Sequence, residues 1–118
     1  MITEPIEVNP KIIKLLRKKL LNASQEEFAF LLAKTGMDVS RWERGVSKPR
    51  EITKERITRL FRVAAALSSG YSPRAALKWL KTSHKELDGF PPYDLLGSQF
   101  ATNQLFKLID SLQDGAYI

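Results

Sequence analysis

At 118 residues the chain has room for one ordinary domain, or for two very small ones sharing a core. It contains no cysteine, which excludes disulfides and thiolate metal sites, and the lone His84 leaves zinc without a ligand set, so neither a metal nor a cofactor is expected. The net charge of +6 is unevenly spread: residues 1–67 carry 14 Lys/Arg against 8 Asp/Glu, whereas residues 68–118 balance at 5 against 5. A basic half of this kind attracts polyanions through counterion release, although solvated helix faces would account for charge taken alone.

The opening Met1-Ile2-Thr3-Glu4-Pro5 lacks a basic n-region followed by an apolar stretch. Apolar runs such as Phe28 to Ala33 are far shorter than a membrane span, so a soluble, cytoplasmic protein is expected. The first helix is predicted from Pro10, after Asn9, to about Leu21, with Ile12, Ile13, Leu15, Leu16 and Leu20 on its apolar side. Ser24 and Glu27 have the spacing of a capping box, so a second helix starts there. From Glu51 to Leu67, the residues Ile57, Leu60, Phe61, Ala64 and Leu67 mark one buried stripe of a longer helix that stops before Gly70.

Ser72-Pro73 reads as a cap and first-turn proline for a helix carrying Ala76, Leu77, Trp79 and Leu80. Turn chemistry follows over Leu87 to Pro92, then a short helix over Tyr93 to Leu96 that Gly97 stops. Thr102 is expected to cap a last helix whose Leu105, Leu108, Ile109 and Leu112 recur at helical spacing, with Gly115 ending it. No alternating strand pattern or internal repeat is present. The expected class is therefore all-α, a helix-turn-helix bundle over 9–69 and a small helical domain over 70–118.

The sequence Ser24-Gln25-Glu26-Glu27-Phe28-Ala29, followed by Val39-Ser40-Arg41-Trp42-Glu43-Arg44-Gly45 and Pro49, resembles the helix-turn-helix of the Xre/Cro repressor family. In such a unit the first helix braces on the DNA backbone and the second enters the major groove. Val39 and Trp42, three apart, would face inward onto Phe28, Ala29 and Leu32, which leaves Met37, Ser40, Arg41 and Arg44 on an outward stripe. Matching positions imply phosphate contacts for Ser24 and Gln25, a capping and backbone role for Thr35, and base contacts for Gly36, Met37, Ser40 and Arg41. Arg41 is the strong reader, because its fork can take N7 and O6 of a guanine. Arg44, Lys48 and Arg50 suit phosphates.

Ala33 stands where the family usually has its turn glycine, and a left-handed alanine there costs ~1 kcal/mol or more. A register with Gly36 at the turn is the alternative, but the separation of Ala29 from Trp42 matches the family with Ala33 in that place. Asp38 brings a negative charge near phosphates. Phe30 and Leu31, where the family commonly has polar residues, either pack under the C-terminal unit or form a partner surface.

The second half carries its own resemblance. Arg74-Ala75-Ala76-Leu77-Lys78-Trp79-Leu80-Lys81-Thr82, then Leu87-Asp88-Gly89, Pro92, Leu95-Leu96 and an end at Gly115-Ala116-Tyr117, is similar to the toxin-binding domain of Xre/MbcA/ParS-like antitoxins. Ser83 replaces a proline common in that family. The resemblance implies a type II antitoxin that binds a RES-domain, NAD-consuming toxin and represses its own promoter. A homodimer on a DNA palindrome is expected, because one helix-turn-helix unit covers few bases and two reading helices about 34 Å apart would span successive major grooves. It makes Tyr117 and Ile118 candidates for reaching the toxin's active site, against the ordinary reading of a frayed chain end. Trp79, Leu80, Leu95 and Leu96 are further partner-binding candidates, although such residues are more often core.

An enzyme is not expected, since His84 and nearby Asp88 lack a nucleophile with an oriented base, a phosphate loop or a metal set. His84 reads as a surface histidine beside a turn. Two other readings fit the same residues: a stand-alone regulator with no toxin, and a toxin-binding protein whose helix-turn-helix no longer binds DNA.

Overall fold

Every α-helix but the one that follows Arg50, which has no side-chain cap, begins where a short polar side chain takes an orphan backbone N–H. The computed structural model describes residues 6–113. In it Asn9 Oδ1 accepts from Ile12 N at 2.8 Å and opens α1 (Pro10–Lys14), which runs on through wider π-helical turns over Leu15–Leu20. Ser24 and Glu27 form the expected capping box of α2 (Gln25–Leu31). Thr35 and Asp38 form a second box at the start of α3 (Gly36–Glu43). The long helix α4 is Glu51–Leu67, and Ser72 with Pro73 opens α5 (Pro73–Lys81). Short 3-10 turns over Lys85–Leu87 and Pro92–Gly97 lead to α6 (Gln99–Gln113). Among the described residues there is no strand, and the fold is all-α.

One start differs from expectation. Thr102 does not cap α6: Ser98 does, its Oγ accepting from Ala101 N at 3.0 Å. Thr102 lies inside the helix, buried, and its hydroxyl is held by the carbonyl oxygens of Ser98 at 2.7 Å and Leu95 at 3.0 Å. A threonine in the first turn turns its hydroxyl back to a carbonyl four residues earlier when that carbonyl is near and water is excluded. Gly115 lies outside the described residues, so its expected part in ending α6 does too.

The buried apolar side chains form one cluster that runs from Ile13 and Leu16 through Phe28, Val39, Ile57 and Leu60 to Leu80, Leu96, Leu105 and Ile109. The two sequence regions therefore share a core, with α4 packed against α6 and against the turn over Pro92–Gly97. Polar ties cross the same boundary. Arg59 Nη1 donates to Leu96 O at 3.1 Å, and Gln113 Nε2 donates to Ala66 O at 2.8 Å and to Ser69 Oγ at 2.7 Å. Leu31 is in the core, while Phe30 remains 50% exposed with its ring centroid 5.0 Å from that of Tyr93 and Lys81 Nζ 5.7 Å above it. No helix among the described residues is long and apolar enough to cross a membrane.

Candidate nucleic-acid interface

The turn that joins α2 to α3 is built on Ala33, whose φ is +56°. Lys34 N donates to Ala29 O at 2.9 Å and Ala33 N to Phe30 O at 3.3 Å, the paired bonds of a Schellman ending. Glycine is the usual residue at that left-handed position because it has no Cβ to crowd the carbonyl. Alanine holds it here, so the turn keeps the geometry at a local cost. The end of α3 repeats the motif with Gly45 at φ +73°, Val46 N donating to Arg41 O at 2.9 Å.

Between those two turns α3 is fixed by what it buries. Val39 is fully buried and Trp42 is 6% exposed, both in the cluster that holds Phe28, Ala29 and Leu32. The indole is therefore inside, and the opposite side of α3 faces solvent. Met37 is 56% exposed, Arg41 and Arg44 are exposed, and Ser40 is half-buried. Arg44 Nε donates to Ser40 Oγ at 3.2 Å, which lays the guanidinium along the helix and leaves the serine O–H free to donate outward. Lys48 and Arg50 are exposed just beyond, on either side of buried Pro49. The four cations thus follow one another along and after a single helix.

The tilt of α3 is set by a pair the sequence reading did not find. Arg17, from the π-helical turns, donates through Nε to Glu43 Oε2 at 2.6 Å and through Nη2 to Oε1 at 2.8 Å. Its Nη1 donates to Ala23 O at 2.9 Å. Glu43 is only 5% exposed. Burial raises its affinity for a proton, but the Arg17 fork and the Gln25 amide favour the carboxylate more, and its pKa lies below the ordinary value. Gln25, the phosphate-contact candidate, is half-buried, and its Nε2 donates to Glu43 Oε1 at 3.2 Å beside this pair. The available signal was an acidic residue directly after an inward-facing tryptophan, with an arginine in the first helical segment.

The N-terminal end of α3 has an acidic character. Asp38 Oδ2 takes the N–H of Thr35 at 3.0 Å and its hydroxyl at 3.0 Å, so that carboxylate is folded back on the cap. The backbone bond first and the hydroxyl second lower its pKa. Thr35 and Ser24 are exposed at the openings of their helices, where first-turn N–H groups lack intrahelical partners. Gly36 is buried, because the carboxyl group of Glu26 lies over it and fills the space a Cβ would need.

Of the partner-binding candidates, Trp79, Leu80 and Leu96 are buried in the core and Leu95 is half-buried. They support the surface from within. Tyr117 and Ile118 lie outside the described residues. His84 is half-buried, its Nε2 3.0 Å from Trp79 O and its ring 4.8 Å from the indole, so it braces the end of α5 and is not a bare surface residue.

The chain matches no family profile and no curated protein. Among solved structures it is similar to a chain from the crystal structure of the M. tuberculosis MbcT-MbcA toxin-antitoxin complex, with a TM-score of 0.74 and 24% identity. The likeness covers 96% of this chain and 100% of that one. It is a likeness of fold, and it is the one that the resemblance to Xre/MbcA/ParS-like antitoxins leads one to expect.

Proposed function

We propose that this chain is the antitoxin of a type II toxin–antitoxin pair: it binds its toxin directly and represses its own promoter through the α2–α3 helix-turn-helix. The observation that carries the reading is a fold likeness running the whole length of a chain from a toxin–antitoxin complex, so that helix-turn-helix and C-terminal unit match together. The sequence resemblance narrows the toxin to a RES-domain protein that consumes NAD. Chemistry supports the division of labour. Arg41, Arg44, Lys48 and Arg50 are displayed on or just after one helix, as a polyanion reader requires, whereas residues 68–118 are electrically neutral.

In this reading the protein acts in the cytoplasm as a homodimer, with its two α3 helices about 34 Å apart on a palindrome. Its own role is binding and not catalysis. The test is co-expression with the product of the adjacent reading frame. Rescue of growth, preserved NAD levels and co-purification of the two chains are expected. An adjacent product that neither harms the cell nor co-purifies would overturn the antitoxin role. A salt-dependent shift of the chain's own promoter fragment, absent with a scrambled duplex, tests the DNA half separately.

A further inference from the structure

The first residue of α3, Gly36, has no side chain, yet its place is not empty. Glu26 reaches across from the first turn of α2, and its carboxyl carbon lies 2.5 Å from where a Cβ on Gly36 would stand. Glu26 is exposed on its outer side, and no side chain among the described residues makes a hydrogen bond or ion pair with it. Its neighbours are committed elsewhere: Glu27 to Ser24 and Arg74, and Asp38 to Thr35. One uncommitted carboxylate therefore sits at the end of the helix that enters the major groove.

We propose that Glu26 is a specificity-determining residue that stands in for the missing side chain of Gly36 and reads a cytosine amino group. The inference rests on the helix-turn-helix acting as a DNA reader. A carboxylate only accepts hydrogen bonds. In the major groove, guanine offers the acceptors N7 and O6, and thymine the acceptor O4, so both are repelled at this point. Adenine pairs one donor with an adjacent acceptor and satisfies a carboxylate poorly. Cytosine presents the N4 amino group and is the matching edge. The same negative charge rejects phosphate, so the contact adds discrimination and subtracts from non-specific binding, complementing the guanine-seeking fork of Arg41 five residues after Gly36 on α3.

The test is a binding panel at one fixed salt concentration, with every base placed in turn at each position of a half-site from the chain's own promoter. Wild type should require cytosine at one position by about fivefold or more. Glu26→Gln should move that preference to adenine, whose N6 and N7 a carboxamide can take together, and should leave other positions unchanged. Gly36→Ala, which displaces the carboxyl group without removing it, should weaken selectivity at the same position. Unaltered melting temperatures would show that both variants fold. If Glu26→Gln keeps the wild-type preference at every position, the assignment is overturned while the helix-turn-helix remains the reader. A wild-type protein with no sequence preference anywhere would overturn the DNA-reading function itself, and this contact with it.

Discussion

A single oxygen of Glu27 joins the helix-turn-helix to the C-terminal unit. Oε1 accepts from Ser24 N at 2.9 Å, closing the cap of α2, and from Arg74 Nη1 at 2.8 Å, while the same Nη1 lies 3.0 Å from Asn22 O. Arg74, at the start of α5, thereby holds both the turn before α2 and the cap that starts it. With Tyr93 and Lys81 against Phe30, the outer side of α2 is braced at two points by the second half of the chain. The helix that supports α3 is thus held in place partly by residues that a partner of the C-terminal unit could reach.

The brace predicts an acid-sensitive component of stability. The Arg74 hydrogen bond, then the Ser24 backbone bond, lower the Glu27 pKa from 4.5 to about 2. A carboxylate whose folded pKa is depressed adds stability that is present above its unfolded pKa and is lost as pH falls through the folded one. Melting temperature should therefore decline from about pH 4.5 toward pH 2, and Glu27→Gln should flatten that part of the profile. Because the pair is exposed, the effect should shrink in 1 M salt. Parallel pH profiles for wild type and variant would show that the contact contributes nothing.

Removing one member of the buried Arg17–Glu43 pair should be far more costly. Arg17→Met leaves the Glu43 carboxylate in the core without its fork, and breaking such a pair from one side costs about 3–5 kcal/mol. Arg17→Met combined with Glu43→Leu should recover much of the loss, since replacing both charges leaves none to desolvate. Urea unfolding of wild type, Arg17→Met, Glu43→Leu and the double variant measures this. A double variant as unstable as the sum of the singles would mean that the pair does not couple α1 to α3.

What could be read in the residues, and what could not, follows from distance along the chain. Asn9, Ser24, Thr35 and Ser72 announce helix starts because a cap and its N–H are three residues apart. The left-handed turn at Ala33 followed from the spacing between Ala29 and Trp42. Thr102 misled because Ser98 had the same chemistry four residues earlier, and only the approach of Leu95 decided between them. Arg17 and Glu43 are 26 residues apart, and their pairing depends on how α1 meets α3. Glu26 over Gly36 is equally non-local. Inward and outward sides were legible from period; the partners across the core were not.

Ala33→Gly should stabilise the protein. The native φ of +56° costs alanine ~1–2 kcal/mol that glycine does not incur. Glycine in turn makes the unfolded chain more flexible by about 0.4–1 kcal/mol. The net gain should be roughly 0.5–1 kcal/mol, seen as a rise in the denaturation midpoint with unchanged slope. Ala33→Val should do the reverse, because a β-branched residue fits that region worse than alanine. A glycine variant less stable than wild type would mean the turn relaxes without strain.

Deleting residues 115–118 would separate the two proposed binding functions. If Tyr117 or Ile118 obstructs the toxin, the shortened chain should retain wild-type affinity for its promoter while toxin activity is released on co-expression. Unchanged neutralisation would assign toxin binding to the described helices instead, with Leu95 and the exposed side of α5 as the first surfaces to test.

Arg41 and Lys48 should differ in kind when each is replaced by alanine. Arg41 is exposed on α3, one residue before the buried Trp42, and a bidentate guanine contact from such a position would be worth about 1–3 kcal/mol. Arg41→Ala should therefore relax discrimination at one base pair. Lys48 lies beyond the helix beside buried Pro49, at a position suited to phosphate. Lys48→Ala should weaken binding to operator and scrambled duplexes alike, and lower the slope of log affinity against log salt by about 1. The comparison turns on the shape of the losses, not their size. Equal losses on both duplexes for both variants would show that α3 lies along the backbone and not in the groove.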